Sequence, residues 1–268
     1  MSLDLLYITN NKRDAKKAED SGVEIIFIDL ERKGKIERQG HLDTVISNHC
    51  FEDIKRIKNV LQKSKVLVRV NPLDDDSENE ISEVIKLGAD IVMLPMFKTA
   101  EEVRKFIKIV DKKAEVCLLL ETSQAFCRID DILKIDGIDR IHIGLNDLHL
   151  SLGLDFMFEC LADGIVEYLA EKIRNKNIKL GIGGIARINE GELPAEKILK
   201  EHIRLGSEMV ILSRSFKKAD GDIKIEIEKL KKEYEKNLKL TKEELLKNKE
   251  KINDIVNLIS YKRREHVL

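Results

Sequence analysis

No tryptophan occurs in the 268 residues, and tyrosine (four) and phenylalanine (eight) are sparse. The chain therefore offers no evident aromatic platform on which nucleic-acid bases would stack. Neither sign of charge dominates: 48 lysines and arginines face 49 aspartates and glutamates. That balance removes the electrostatic reason to expect nucleic acid or an acidic membrane surface as a partner. Cysteine is scarce too. Cys50, Cys117, Cys127 and Cys160 form no CxxC pair, and isolated thiols in strand-like and helix-like stretches point to a reducing interior, not to disulfides or a zinc site. No apolar run approaches the roughly 18–20 residues that span a bilayer. The opening MSLDLLYITNN lacks the basic-then-apolar build of a signal peptide. The expected setting is the cytoplasm, with a small molecule as partner and neither nucleic acid nor membrane.

What is present is an alternation. Short β-branched runs recur at 4–9, 24–31, 65–71, 89–95, 115–122, 140–145, 179–184 and 209–215. Charged amphipathic stretches lie between them, at about 11–21, 52–64, 77–87, 99–110, 124–134, 156–175 and 194–204, and a last one starts near 222. Eight strands and eight helices in about 240 residues predict an α/β chain folded as a (β/α)8 TIM barrel. The alternative is a doubly wound open sheet, but TNNKRD after the first strand holds no glycine for the first turn such sheets usually carry. The barrel is expected over 1–221, with C-terminal helices over 222–268 as its last helix plus an extension. Thr241 and Glu244 form a capping-box pattern there, followed by Leu245, Ile252, Ile255, Val256 and Ile259 at helical spacing. That helix either packs on its own barrel or reaches a neighbouring subunit in a homo-oligomer.

The stretch DRIHIGLNDLHLSLG (139–153) needs an explanation, because a strand-like run ends at Gly144 and Asn146, Asp147 and His149 follow at once. A tight turn accounts for the glycine and asparagine but does not need Asp147. In a barrel of this class the chemistry collects where strands end. There the second strand carries Asp29 and Glu31 on one face, the third Arg69, the fifth Glu121 and the sixth Asn146 and Asp147. The eighth ends in Ser213, Arg214 and Ser215, of which the serines read as structural. His142, in mid-strand, reads as a hydrogen-bonded core histidine. A single carboxylate at a strand end is often a helix cap or a structural ion pair, so the combination carries the inference. Glu121 and Asp147 end neighbouring strands, and two hard oxygen ligands without histidine or cysteine suit Mg2+ or Mn2+, with water and substrate completing the shell. Arg69 offers a fixed planar cation for a carboxylate or an enolate oxygen. The connection after the second strand, about 20 residues long, is long enough to imply a binding role. It holds Arg32, Lys33, Lys35, Arg38, Gln39, His41 and His49, an assortment suited to gripping an anionic substrate.

On these residues the chain resembles the HpcH/HpaI aldolase and citrate lyase β-subunit family. The matching segments, IDLE, VRVNP, GADIVMLPM, LLLET and IGLNDL with its following SLG, fall between residue 24 and about 216. DTVISNH, GIGGIAR and LSRSF look like features of one branch. The resemblance implies a metal-dependent lyase on a pyruvate- or phosphoenolpyruvate-binding barrel. It implies that Glu121 and Asp147 are the metal ligands and that Arg69 holds the keto-acid oxygens. Gly144, with the backbone of Leu145 and Asn146, would cradle the substrate carboxylate, and Asp29 and Glu31 would order water at the metal. One departure stands out: the aldolase branch carries a proton-transferring histidine where this chain has Arg32, and a guanidinium is effectively never deprotonated. His41 or His49 is the candidate replacement, as is water on the metal. The expectation is a carbon–carbon lyase acting on a 2-oxo acid through a pyruvate-type enolate. Alternatives are an acyl-CoA ester lyase of the citrate lyase type, taking an acyl thioester, or a lapsed barrel serving as a binding or scaffold subunit. A Schiff-base aldolase is disfavoured by the absence of a lysine near the C-terminal end of any expected strand.

Overall fold

The computed structural model describes residues 2–34, 48–218 and 221–265. Eight parallel strands pair in chain order and the last closes on the first, which rules out the open sheet. They are β1 (Asp4–Ile8), β2 (Ile25–Asp29), β3 (Lys65–Arg69), β4 (Ile91–Leu94), β5 (Glu115–Leu120), β6 (Arg140–Ile143), β7 (Lys179–Ile185) and β8 (Met209–Leu212). Around them run α1 (Lys12–Asp20), α2 (Phe51–Lys58), α3 (Ser77–Lys86), α4 (Ala100–Val110), α5 (Ser123–Cys127) and α6 (Ile129–Ile132). There follow α7 (Leu145–Leu152), α8 (Glu159–Ala162), α9 (Ile165–Arg174), α10 (Ala195–Leu205), a 3-10 turn (Arg214–Lys217), α11 (Ile223–Asn237) and α12 (Lys242–Glu265).

Strands buried on both faces must read as continuous apolar runs, and these do. Alternate side chains then serve two cores. Leu6, Ile25, Phe27, Leu67, Ile91, Met93, Cys117, Leu119 and Met209 fill the barrel. Ile26, Ile28, Val66, Val68, Val92 and Leu118 face outward to the helices and meet Ala15, Ile54, Ile81 and Phe106. At the N-terminal mouth Arg140 closes the interior, its Nε donating to Glu115 (2.7 Å) and its Nη1 to Asp4 (3.3 Å). The C-terminal mouth is left for chemistry.

Two expected elements differ. The helix anticipated over 156–175 breaks into α8 and α9 at Gly164, whose φ of +85° is a conformation that L side chains rarely adopt. The sixth strand stops at Ile143, and α7 begins directly after Gly144. Asn146 and Asp147 therefore stand on the first turn of a helix.

The C-terminal capping box forms as its pattern predicts: the Thr241 N–H donates to Glu244 (2.7 Å) and the Glu244 N–H to the Thr241 hydroxyl (3.2 Å). α12 packs on α10 and α8 of its own barrel and buries Leu245, Ile252 and Val256. Leu246, Leu258 and Tyr261 remain exposed on the same helix. Among the described residues, no helix is long and apolar enough to cross a membrane.

Candidate active site

Register brings the first charged cluster together. β2 and β3 pair so that Asp29 lies beside Arg69. The guanidinium is clamped from two sides: Nε and Nη2 donate to the two oxygens of Asp29, both at 2.8 Å, and Nη1 lies 3.2 Å from Glu31. Its carbon sits 5.7 Å from the centre of the Phe27 ring. Burial alone would lower the proton affinity of Arg69, but Asp29 and Glu31, with Glu121 further off, outweigh it and raise it above the ordinary value. Asp29 and Glu31 are both buried, and the Glu31 N–H donates to Asp29 (3.2 Å). Arg69 has five N–H donors, and among the described residues its contacts to Asp29 and Glu31 engage three of them.

Glu121 follows β5 and is 3% exposed. One of its oxygens accepts the N–H of Met96 at 3.1 Å. Burial pushes its carboxyl well above the usual carboxylate range; Asp147 adds to the shift and Arg69 opposes it. A Cβ at residue 144 would stand 3.0 Å from both the Cβ and Oε2 of Glu121, so Gly144 clears the space Glu121 occupies. Asp147, one helical turn further on, is half-buried. His149 turns back inside α7, its Nδ1 3.2 Å from the Leu145 carbonyl.

These groups share one cavity of about 670 Å³. Asp29, Arg69, Glu121, Gly144, Leu145, Asn146 and Asp147 line it on one side, with Leu119 and His142 also in its wall. Residues 183–186 and 211–214 with Lys217 form the opposite side. His142 is fully buried, its Nε2 3.0 Å from the Gly183 carbonyl, as a core histidine should be. Ser213 and Ser215 are structural: their hydroxyls lie 3.0 Å apart, and Ser215 accepts the Arg187 N–H (3.0 Å).

Not every expected residue fits. His49 is buried beside β2, and its Nδ1 accepts the Asp29 N–H at 2.9 Å. That bond places the proton of a neutral ring on Nε2, so His49 braces the Asp29 backbone. Arg32 takes a structural part as well. Its Nη2 donates to the His49 carbonyl (2.8 Å) and its N–H to Asn71 (2.9 Å). Arg38 and His41 lie outside the described residues. Lys217 was missed, because it stands five residues past β8, beyond the strand end where a functional side chain is sought.

Among the described residues, no group of three or more histidine, cysteine or acidic side chains converges as a metal site. The donor set is a carboxylate pair, and Mg2+ commonly rests on one or two carboxylates with water and substrate supplying the rest. Glu121 and Asp147, near enough for the Asp147 charge to raise the Glu121 carboxyl, fit that role.

A family model described as HpcH/HpaI aldolase/citrate lyase matches residues 5–158. A 4-hydroxy-2-oxovalerate aldolase from Novosphingobium aromaticivorans is 25% identical, the match covering 34% of this chain and 47% of that one. A 2-keto-3-deoxy-L-rhamnonate aldolase from Klebsiella pneumoniae is 29% identical over 27% of this chain and 39% of its own. The chain thus spans less than half the length of these curated relatives. The crystal structure of an HpcH/HpaI aldolase from Desulfitobacterium hafniense has the same fold, with a TM-score of 0.61 at 16% identity, covering 79% of this chain and 86% of that one.

Proposed function

The chain belongs to the HpcH/HpaI aldolase/citrate lyase family, and from that premise we propose that it is a divalent-metal-dependent carbon–carbon lyase that cleaves or forms a 2-oxo acid through a pyruvate-type enolate. The observation that carries the reading is that Glu121 and Asp147 line the same cavity as Arg69. Glu121 and Asp147 would hold Mg2+ or Mn2+. A cation bound there supplies Lewis acidity, drawing electron density from the keto and carboxylate oxygens of the substrate.

The chain's own groups do the rest. Gly144 and the backbone of Leu145 and Asn146 cradle the substrate carboxylate. Arg69 stands beside the keto oxygen, clamped in place by Asp29 and Glu31 before substrate arrives. The proton of the C4 hydroxyl passes to a base, for which His41 or water ordered by Asp29 and Glu31 is the candidate. The bond between the third and fourth carbons breaks, its electron pair moves into the enolate and the aldehyde departs. The enolate carbon then takes up a proton to give pyruvate. A preorganised contact to the developing oxyanion is commonly worth about 3 kcal/mol. Arg32 stands where the family's aldolase branch has a histidine, which leaves acyl thioesters open as a second substrate class. A metal-supplemented screen of 4-hydroxy-2-oxo acids against acyl-CoA esters decides between the two.

Glu121→Gln and Asp147→Asn are expected to abolish metal-stimulated release of pyruvate while leaving the circular dichroism spectrum intact. Wild-type turnover in either variant contradicts the assigned site. Insensitivity to chelator with borohydride trapping at Lys217 turns the reading to a Schiff-base aldolase instead. Four free cysteines support a reducing, cytoplasmic location. The exposed Leu246, Leu258 and Tyr261 support assembly of chains through α12.

A further inference from the structure

The helix α12 does more than cover one side of the barrel. It packs on α8 and α10, and both of those helices start from loops that wall the cavity. Met157 and Phe158 directly precede α8, and Gly191, Glu192 and Leu193 precede α10. Together they give the cavity a largely apolar stretch that the seat proposed for the 2-oxo acid does not use.

The last turn of α12 ties the two loops together. Arg263 donates from Nη2 to both oxygens of Glu192 (2.9 Å) and from Nη1 to the Asp155 carbonyl (3.2 Å). Its guanidinium carbon lies 4.5 Å from the centre of the Phe156 ring, and that ring meets Phe158 edge-on at 5.3 Å. Arg264 places Nε 2.7 Å from the Asp155 carboxylate and Nη2 3.4 Å from Glu159. The other oxygen of Glu159 accepts the N–H groups of Asp155 (2.8 Å) and Phe156 (2.7 Å). Arg264 therefore meets the buried carboxylate that folds this loop. Exposed ion pairs add little to global stability. Arg263, Arg264 and Glu192 are exposed, so these ties hold the position of the loops more than they hold the fold. Loops are otherwise the mobile parts of a domain, and a wall fixed in advance leaves less ordering to be done when a ligand arrives. The family match ends at residue 158 and reaches neither arginine.

We propose that Arg263 and Arg264 are positioning residues, a clasp at the end of α12 that sets the wall formed by 155–158 and 191–193 against the aldehyde half of the substrate. What the wall receives rests on the lyase reading, which seats the 2-oxo acid at Glu121, Asp147 and Arg69. Arg263 has a second effect. Glu192 lines the cavity, and without its partner the carboxylate would repel an anionic substrate at the mouth. Release of the clasp weakens capture of the substrate and leaves the bond-breaking groups in place.

The test combines hydrogen–deuterium exchange of the full chain with kinetics in the presence of Mn2+, for Arg263→Met, Arg264→Met and the double variant. Backbone exchange over 155–158 and 191–193 is expected to quicken about fivefold in the double variant and to stay as in the wild type over α4. In condensation of pyruvate with ethanal, butanal or glyceraldehyde, the aldehyde KM should rise about fivefold with kcat within about twofold. Deuterium exchange into the methyl group of saturating pyruvate should not change. Arg263→Lys, which keeps the ion pair, recovers most of the KM lost in Arg263→Met, and Lys247→Met, elsewhere on α12, behaves as the wild type. Unaltered backbone exchange in the double variant, an unmoved aldehyde KM, or pyruvate exchange that falls in step with condensation overturns the proposal. So does pyruvate exchange without condensation on any of these aldehydes. Absence of pyruvate exchange in the wild type rejects the lyase reading, and the backbone rates then judge the clasp by themselves.

Discussion

Glu121 carries an electrostatic burden that shows in stability before any substrate is added. Burial, and Asp147 after it, keep the folded carboxyl protonated to a pH well above its ordinary 4.5. The folded state therefore holds a proton that the unfolded chain has released. The stability this group contributes is full below 4.5 and is lost as pH rises through its raised value. Glu121→Gln removes that loss. In metal-free buffer the variant's thermal midpoint should fall less than the wild type's between pH 5 and 8, as measured by differential scanning calorimetry. Parallel pH profiles for the two proteins would mean that Glu121 is solvated and ionised throughout. Added Mn2+ should raise the wild-type midpoint increasingly as pH rises, because the ion displaces the proton.

At the scale of elements, β2 and the segment returning to α2 are joined by the His49 brace. The Asp29 N–H it accepts is buried, and an unsatisfied buried donor costs about 1–3 kcal/mol. His49→Ala should lose that much in urea unfolding and disturb Asp29, while His49→Gln, whose amide oxygen can take the same N–H, recovers most of both stability and turnover. Equal collapse of turnover in both variants, with stability intact, would instead identify His49 as the base. The brace also shows why part of the site was hidden in the sequence. Strand positions followed from β-branched runs, and period two put Asp29 and Glu31 on one face. The register that sets Arg69 beside Asp29 came only with the structure. No local pattern announces that a histidine 20 residues past Asp29 folds back onto its N–H. The same holds for α7. Leu145, Leu148 and Leu152 have helical spacing, but the apolar run of β6 masked the boundary. His142 was legible as core. The reason Gly181 stands beside it was not: a Cβ there would come within 2.2 Å of its Nδ1, a constraint between neighbouring strands that leaves no mark along the chain.

The whole molecule divides its labour between two ends. The N-terminal mouth is closed by Arg140 with Glu115 and Asp4, and the C-terminal mouth gathers acids on one side and cations on the other. The (β/α)8 closure, readable from the count of alternating elements, is what makes residues from β2, β3, β5, β6 and β8 neighbours. α12 packs on its own barrel and still presents Leu246, Leu258 and Tyr261 to solvent. Light scattering should therefore give a mass that is a multiple of 30.8 kDa, reduced in Leu258→Glu with Tyr261→Glu. A monomeric wild type would leave those side chains as ordinary surface.

Titration calorimetry with Mn2+, followed by oxalate as a mimic of the pyruvate enolate, tests the lyase site most directly. The wild type should bind one Mn2+ per chain and take up oxalate only when the ion is present, and Glu121→Gln and Asp147→Asn should each weaken the ion at least a hundredfold. Unaltered Mn2+ affinity in both variants, or oxalate binding that ignores the metal, would contradict the account.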